Sequence, residues 1–475
     1  MNMNHGAAAA RAAHGEDRKL TYEEAVDYIG RIPKYTEKHT VEDTRRYLDA
    51  LGAPDEGMKI IHAAGTNGKG SVCCYLSTIL QESGLKTALF ISPHLVSIRE
   101  RISVDGKQIS KDDFTGCFNR VLSVTKSDPE RFPHPTFFEF LFFMAMLWFK
   151  EQAPDAVVLE TGLGGRLDAT NAVRGKVLTV ITRIGMDHMQ YLGNTIAAIA
   201  AEKAGILRAG TPAVVLEEPG DALRVFRRKA EELQLPLTVV DNREFSEWDG
   251  TGGAYRSDSF SCRCMDGEGI EFSAGSRYDK IKCALRTAAL YQPENCALAV
   301  YSAEILKGVW PAAVTDETIR RGIGRAFWEG RMEFVPPDLY LDGGHNADGI
   351  DAFLRSVKGM PKGKGRRLLL FSAVRDKQYE NMVHAIESSG LFALIAAAPM
   401  ETVRSLTEEE LQDILRRESR REGENAPETT VLPDISAAFR LLRDRKKDGD
   451  LIFAAGSLYL VGQLKSEWIS EESPC

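Results

Sequence analysis

The run His62-Ala63-Ala64-Gly65-Thr66-Asn67-Gly68-Lys69-Gly70-Ser71 carries the most specific chemistry in this chain. An apolar stretch, Met58-Lys59-Ile60-Ile61, precedes it, and a helical pattern over 72–80 follows. A strand, a glycine-rich turn and a helix start make a phosphate cradle: backbone N–H groups point inward, and the helix N-terminus adds partial positive charge. Lys69 supplies the full charge that can follow a phosphoryl group in transfer. The string departs from G-x-x-x-x-G-K-[ST], because Ala63 takes the first glycine position and Gly70 separates Lys69 from the Ser71 hydroxyl. An ordinary strand-to-helix turn shares the glycines but has no need of the lysine. The pattern predicts use of ATP and names no reaction.

Other polar groups gather at the ends of predicted strands. Ser92-Pro93-His94-Leu95 and Arg99-Glu100-Arg101-Ile102 form a polar loop after a strand over 86–91. Glu160 closes a strand over 155–160 and leads into Thr161-Gly162-Leu163-Gly164-Gly165, while Asp187-His188 follows a strand over 177–182. Ser92, Glu160 and His188 form an oxygen-rich set near the phosphate loop, which suits Mg²⁺ better than Zn²⁺. Thr136-Phe137-Phe138-Glu139-Phe140 puts aromatics beside a carboxylate at a helix start; such rings can stack a flat heterocycle or simply fill a core.

The elements that must position these groups alternate. Strands over 86–91, 155–160, 177–182 and 213–216 are separated by helical patterns over 138–150 and 195–204, which implies a mostly parallel sheet covered on both faces. Ligands in such sheets gather beyond the strands' carboxyl ends. A helix is expected from Thr21, where Thr-Tyr-Glu-Glu reads as a capping box. Residues 241–279 are Gly-rich and polar, as in a small antiparallel excursion, and the alternation restarts near 339 with strands over 367–371, 392–397 and 451–455. The expected organisation is a flexible extension over 1–20, an ATP-binding α/β domain over 21–308, a linker over 309–330, and a smaller Rossmann-like α/β domain over 331–475. Residues 418–428 read as a charged, solvated loop.

Composition narrows the class. At 475 residues the chain exceeds one typical core. A net charge of −8 argues against general nucleic-acid binding. Eight cysteines in this length make no disulfide framework, Cys262-Arg263-Cys264 lacks zinc-knuckle spacing, and all are expected to be reduced thiols in the cytoplasm. The greasiest stretch, 137–149, is too short for a bilayer and holds Glu139, and the first 19 residues lack the apolar core of a signal peptide.

Taken in order, these motifs resemble the folylpolyglutamate synthase family, which belongs with the Mur ligases. The resemblance runs from about 21 to 460 through the phosphate loop, Ser-Pro-His-Leu with Arg-Glu-Arg-Ile, and Leu-Glu-Thr-Gly-Leu-Gly-Gly-Arg-Leu-Asp-Ala-Thr-Asn over 159–171. Further on lie Asp187-His188, Glu202-Lys203-Ala204-Gly205-Ile206, Trp328-Glu329-Gly330-Arg331 and Leu341-Asp342-Gly343-Gly344-His345-Asn346.

The resemblance implies an ATP-dependent amide ligase that adds L-glutamate to the carboxylate of a reduced folate, with dihydropteroate as a possible second acceptor. It implies that Gly65 to Ser71 hold the ATP phosphates, with Asn295, Arg331, Asp342, His345 and Asn346 around the nucleotide. Ser92, Glu160 and His188 match Mg²⁺-binding positions, and Lys203 matches a lysine carbamylated by CO₂. Ser92, His94, Arg99, Thr136, Phe137, Phe138, Glu139 and Asp168 fall around the folate pocket. Lys69, Lys203, Asp342 and His345 are the expected catalytic set, in a monomer. Tyr291 stands where a histidine is common, and Gln378 where an acid is usual in Asp376-Lys377-Gln378. A Mur-type ligase with other substrates, and a nucleotide-binding module without catalysis, are the alternatives.

Overall fold

The computed structural model describes residues 19–32, 39–217, 221–251, 254–265, 269–274, 281–361, 363, 365–423 and 426–469. The extension expected over 1–20 lies almost wholly outside them. Eight strands form the first sheet: β1 (Ile60–Ala64), β2 (Thr87–Phe90), β3 (Ile102–Val104), β4 (Lys107–Gln108), β5 (Ala156–Glu160), β6 (Lys176–Ile181), β7 (Ala213–Leu216) and β8 (Leu237–Val240), in the order β4-β3-β2-β5-β1-β6-β7-β8. All are parallel to their neighbours except β3 and β4, which pair antiparallel at one edge. β1 and β5 are buried throughout, as expected of apolar runs covered on both faces. The phosphate-loop motif, Ser92, Glu160 and His188 therefore all leave from the carboxyl edge of adjacent parallel strands.

Two helices fix that edge. Phe137–Gln152 buries nearly its whole circumference, and Thr136 caps it with Glu139 closing a capping box, worth about 1 kcal/mol. Lys69–Glu82 runs back from the phosphate loop and packs against helix Asp316–Arg325, where a Cβ on Gly322 would lie 2.5 Å from Ile79 Cα. The segment expected to be a linker, 309–330, is thus largely part of the first unit. The expected helix after Thr21 is present as Tyr22–Arg31 with both capping-box hydrogen bonds.

The antiparallel excursion is a four-stranded sheet of β9 (Ala254–Arg256), β10 (Phe260–Met265), β11 (Gly269–Ala274) and β12 (Ile281–Leu285), its inner face packed with helix Gln292–Leu306. A third sheet holds β13 (Arg331–Val335), β14 (Leu339–Asp342), β15 (Arg367–Phe371), β16 (Leu394–Ala397), β17 (Glu428–Val431) and β18 (Leu451–Ala455), in the order β13-β14-β18-β15-β16-β17. Only β13 is antiparallel to its neighbour. The loop expected over 418–428 is replaced at its start by helix Glu408–Glu422, whose Thr407 cap and apolar Leu411, Ile414 and Leu415 outweigh its charge. The seven described cysteines are unpaired thiols, and Cys475 lies outside the described residues. Among the described residues no helix is long and apolar enough to cross a membrane.

Candidate active site between the two α/β units

The phosphate loop is clamped by the end of β6. Thr66 N–H donates to the Arg183 carbonyl (2.8 Å), and the Thr182 hydroxyl donates to the Asn67 carbonyl (2.7 Å). The approach is close enough to demand glycine. A Cβ on Gly65 would sit 1.8 Å from Thr182 Oγ1, and one on Gly68, at φ +88°, would sit 2.2 Å from Asn295 Oδ1. Asn295 thus presses on the loop from helix Gln292–Leu306, and Gln292 Nε2 donates to Ser71 Oγ (3.2 Å). The first-turn N–H groups of helix Lys69–Glu82 have no intrahelical acceptor. Lys69 Nζ donates to the carbonyls of Gly65 and Thr66, each at 3.1 Å.

Beyond the loop opens a cavity of about 540 Å³. Gly65 to Ser71, Ser92, Thr136 to Glu139, Glu160, Asp168, His188 and Lys203 line it from the first unit; Arg331, His345, Lys377, Arg404 and Tyr459 line it from the second. A neighbouring cavity of about 740 Å³ shares Asn67, Gly68, Ser71, Arg331 and His345, and adds Tyr291, Asn295 and Asp342.

Glu160 is buried, and one oxygen accepts the Ser92 backbone N–H at 2.8 Å. Burial pushes its pKa up, while Lys69 and that N–H pull the other way. His188, in the left-handed region at φ 51°, has its pKa pushed down to about 4, by burial first and then by Lys377. Its ring is neutral, and Nε2 accepts from Lys377 Nζ at 3.3 Å. A hard carboxylate oxygen, a serine hydroxyl and a neutral imidazole are a donor set that fits a divalent cation. Binding through His188 Nε2 requires Lys377 to give way. Lys203 Nζ, also buried, donates to the Gly65 carbonyl (2.7 Å).

The second unit is joined to the first by polar contacts. Asn346 Nδ2 donates to Asn67 Oδ1 (3.1 Å) and to Asp187 Oδ2 (3.0 Å), so Asn346 spans the units instead of lining either cavity. Lys377 Nζ reaches both Asp187 oxygens at 2.7 and 2.9 Å. Burial opposes ionisation of Asp187, but the Lys377 ammonium beside it holds its carboxyl well below the usual range. Asp342 is fully engaged: it accepts from the Tyr291 hydroxyl (2.6 Å), Met332 N–H (3.0 Å) and Gly344 N–H (2.8 Å), while burial raises its pKa. Tyr291 therefore ties the units together through Asp342. His345 Nδ1 faces the Gly343 carbonyl at 2.9 Å, which assigns the proton to Nδ1 and leaves Nε2 unprotonated; burial takes its pKa to about 3.

Several expected substrate residues are placed differently. Arg99 turns away and donates to the Ile109 carbonyl (3.0 Å), and it lines neither cavity. His94 also lines neither; its Nδ1 accepts from Arg101 at 2.8 Å, and it is Arg101 that faces the cavity. Asp168 lines the cavity, but its carboxylate is occupied by the N–H groups of Gly162 and Leu163 and by Thr170. Phe138 packs its ring on Gly162, where a Cβ would be 2.7 Å away. Glu139 accepts from Thr136 N–H and pairs with His39 at 2.8 Å. Arg101 and Lys377 were visible only as letters within quoted motifs; spacing gave neither an orientation.

Comparison with known proteins finds relatives along the whole chain. The family model for the Mur ligase glutamate ligase domain matches residues 330–458. The chain is 32% identical over 455 residues to the dihydrofolate synthase/folylpolyglutamate synthase of Bacillus subtilis, covering 94% of this chain and 98% of that one. It superposes with a TM-score of 0.78 and 25% identity on E. coli FolC in complex with DHPP and ADP, covering 96% and 99%. A bifunctional folylpolyglutamate synthase/dihydrofolate synthase with Mn, AMPPNP and L-glutamate bound gives 0.75 and 25%, covering 94% and 98%. Full-length relatedness and a shared architecture, with a phosphate loop facing a second α/β unit, place this chain in the folylpolyglutamate synthase/dihydrofolate synthase family of ATP-dependent glutamate ligases.

Proposed function

We propose that this chain carries out the family's ligation within the cavity between its two units, through an acyl phosphate. A carboxylate is a poor acyl donor because its leaving group would be oxide. Transfer of the ATP γ-phosphoryl group to the folate carboxylate replaces that with phosphate. ADP leaves in that step; the amine of L-glutamate then attacks the acyl phosphate, and collapse of the tetrahedral intermediate gives the amide and phosphate.

Lys69 sits on neutral carbonyls that a phosphate displaces, so its charge is available to the transferring group. Arg331 lines both cavities and belongs where nucleotide and acyl carboxylate meet. The cavity beside Phe137 holds the folate and the neighbouring one holds the nucleotide beside Asn295 and Tyr291. Ser92, Glu160 and His188 are the residues to hold Mg²⁺, which when bound neutralises phosphate charge. Lys203, buried beside the loop, is the candidate for carbamylation, which would make its nitrogen end an anionic oxygen donor. Of the two groups considered for accepting the glutamate amine's proton, His345 offers a free lone pair at Nε2, while Asp342 already accepts three hydrogen bonds. With burial holding the His345 pKa at about 3, its part is to orient the amine by accepting a hydrogen bond. Closure of the two units excludes water that would hydrolyse the acyl phosphate.

The observation that carries this reading is the single cavity into which phosphate loop, aromatic helix start and second-unit histidine all open. Both cavities are completed within one chain, which supports a monomer. The unpaired thiols fit a reducing compartment, the cytoplasm. The test is phosphate release from ATP and Mg²⁺ with L-glutamate, comparing tetrahydrofolate and dihydropteroate. Release with a product one glutamate heavier is expected for both acceptors; turnover of one alone restricts the enzyme to that step. Silence with both would overturn the assignment.

A further inference from the structure

Six lysine and arginine side chains line the main cavity. Lys69 and Lys203 rest on the phosphate loop, Arg331 lies at the joint with the second cavity, and Lys377 and Arg404 are paired with Asp187 and Asp376. Arg101 differs from all of these. Only 6% exposed, it has no carboxylate within ion-pair distance among the described residues. Its Nε donates to His94 Nδ1, and its guanidinium carbon lies 5.2 Å from the centroid of the Phe137 ring. The adjacent Glu100 is spent on the backbone N–H groups of Leu95, Val96 and Ser97. Burial draws the Arg101 pKa down to about 10, against the pull of Tyr459, Glu160 and Glu100, as for a cation short of compensating charge. A guanidinium buried in a cavity wall without a counter-charge is costly unless a ligand supplies one.

The proposed ligation supplies a candidate. A folate ending in glutamate carries two carboxylates, and only one is phosphorylated. We propose that Arg101 binds the other, the α-carboxylate of the acceptor's terminal glutamate. The planar fork of its terminal nitrogens matches a carboxylate. Its position suits that role, because Phe137, at the aromatic helix start, lies on one side, and Glu160, beside the phosphate loop, is within electrostatic reach. Dihydropteroate has a single carboxylate, which is the one that reacts, and makes no use of this contact. Arg101 is therefore a specificity residue that separates chain extension from addition of the first glutamate.

This assignment rests on the ligase reading, and the test tells their failures apart. KM and kcat are measured by phosphate release for a tetrahydrofolate acceptor and for its analogue in which 4-aminobutyrate replaces the terminal glutamate. The analogue keeps the extendable carboxylate and lacks the α one. In the unaltered enzyme KM for the analogue is expected to be at least about tenfold higher, the size of a charge-assisted hydrogen bond. In Arg101→Gln the two KM values converge, and Arg101→Lys falls between. Equal KM values in the unaltered enzyme, or the same ratio retained in Arg101→Gln, would overturn the assignment. The first of these needs no variant and stands even if Arg101→Gln does not fold. No phosphate release with any acceptor would bring down the ligase reading and this assignment with it.

Discussion

Both α/β units turn the carboxyl ends of parallel strands toward the shared cavity, but they hold their cations differently. In the first unit Lys69 sits on carbonyl oxygens of its own loop, and Arg101 has a histidine and an aromatic ring for company. In the second, Lys377 is committed to Asp187, and Arg404 to Asp376. Neutral acceptors give way to an arriving phosphate or carboxylate more readily than the partner in a buried ion pair does. The difference separates two uses of charge. The first unit keeps Lys69 and Arg101 ready for anionic ligands. The second uses Lys377 and Arg404 to hold itself together and dock onto its neighbour, and leaves Arg331, on the Gly330 carbonyl, facing both cavities.

Substitutions can break that contrast. Lys69→Ala should have the largest effect on chemistry, lowering kcat by about 10³-fold while leaving the thermal midpoint within about 2 °C. A large loss of stability instead would show that Lys69 holds the loop together. Lys377→Met should behave in the opposite way. Its ammonium and the Asp187 carboxylate are 6% and 10% exposed, so stranding Asp187 costs about 3–5 kcal/mol of docking or stability. Denaturant unfolding of Lys377→Met, Asp187→Asn and the double variant measures this, and the double variant should recover most of the loss. Absence of recovery would mean that the pair does not act as a unit.

The smallest effect tests the second unit alone. Glu387, on helix Tyr379–Ser388, has its pKa raised to about 7 by burial, with Glu418 and Glu422 adding to the rise. The folded value lies above the ordinary 4.5, so the fold favours the protonated form. Stability from this group is complete below 4.5 and is lost as pH rises through about 7. Glu387→Gln is expected to raise the unfolding midpoint by about 2 °C at pH 8 and to change it little at pH 4.5. An equal shift at both pH values would remove ionisation as the cause.

Much of the architecture was legible because its signals are local. Short runs such as those of β1 and β5, largely apolar and closed by glycine-rich turns, read as strands covered on both faces, and Thr21 and Thr136 announce their helices by capping boxes. Strands without that signature were harder. β13 has a mixed burial pattern, and β17 has no fully buried residue, so neither carries an uninterrupted apolar run. Helix Asp316–Arg325 hid inside an apparent linker, because its apolar face is only Ile319, Gly322 and Ile323. Arg99 and Arg101 show the limit within a single motif. Both stand on the short turn Ile98–Arg101, and the path of that turn sends one to the Ile109 carbonyl and the other into the cavity.

By itself the sequence determined the phosphate loop, the strand ends that carry polar groups, and the ordered motifs that name the family. Each depends on neighbours a few residues away or on a string read in order. Only the tertiary structure decided which charges are already neutralised. Lys377 meets Asp187 across 190 residues, Tyr291 meets Asp342 across 51, and Asn67 meets Asn346 across 279. A side chain's partner is fixed by where the packed units bring it, and that partner decides whether its charge is left for a substrate.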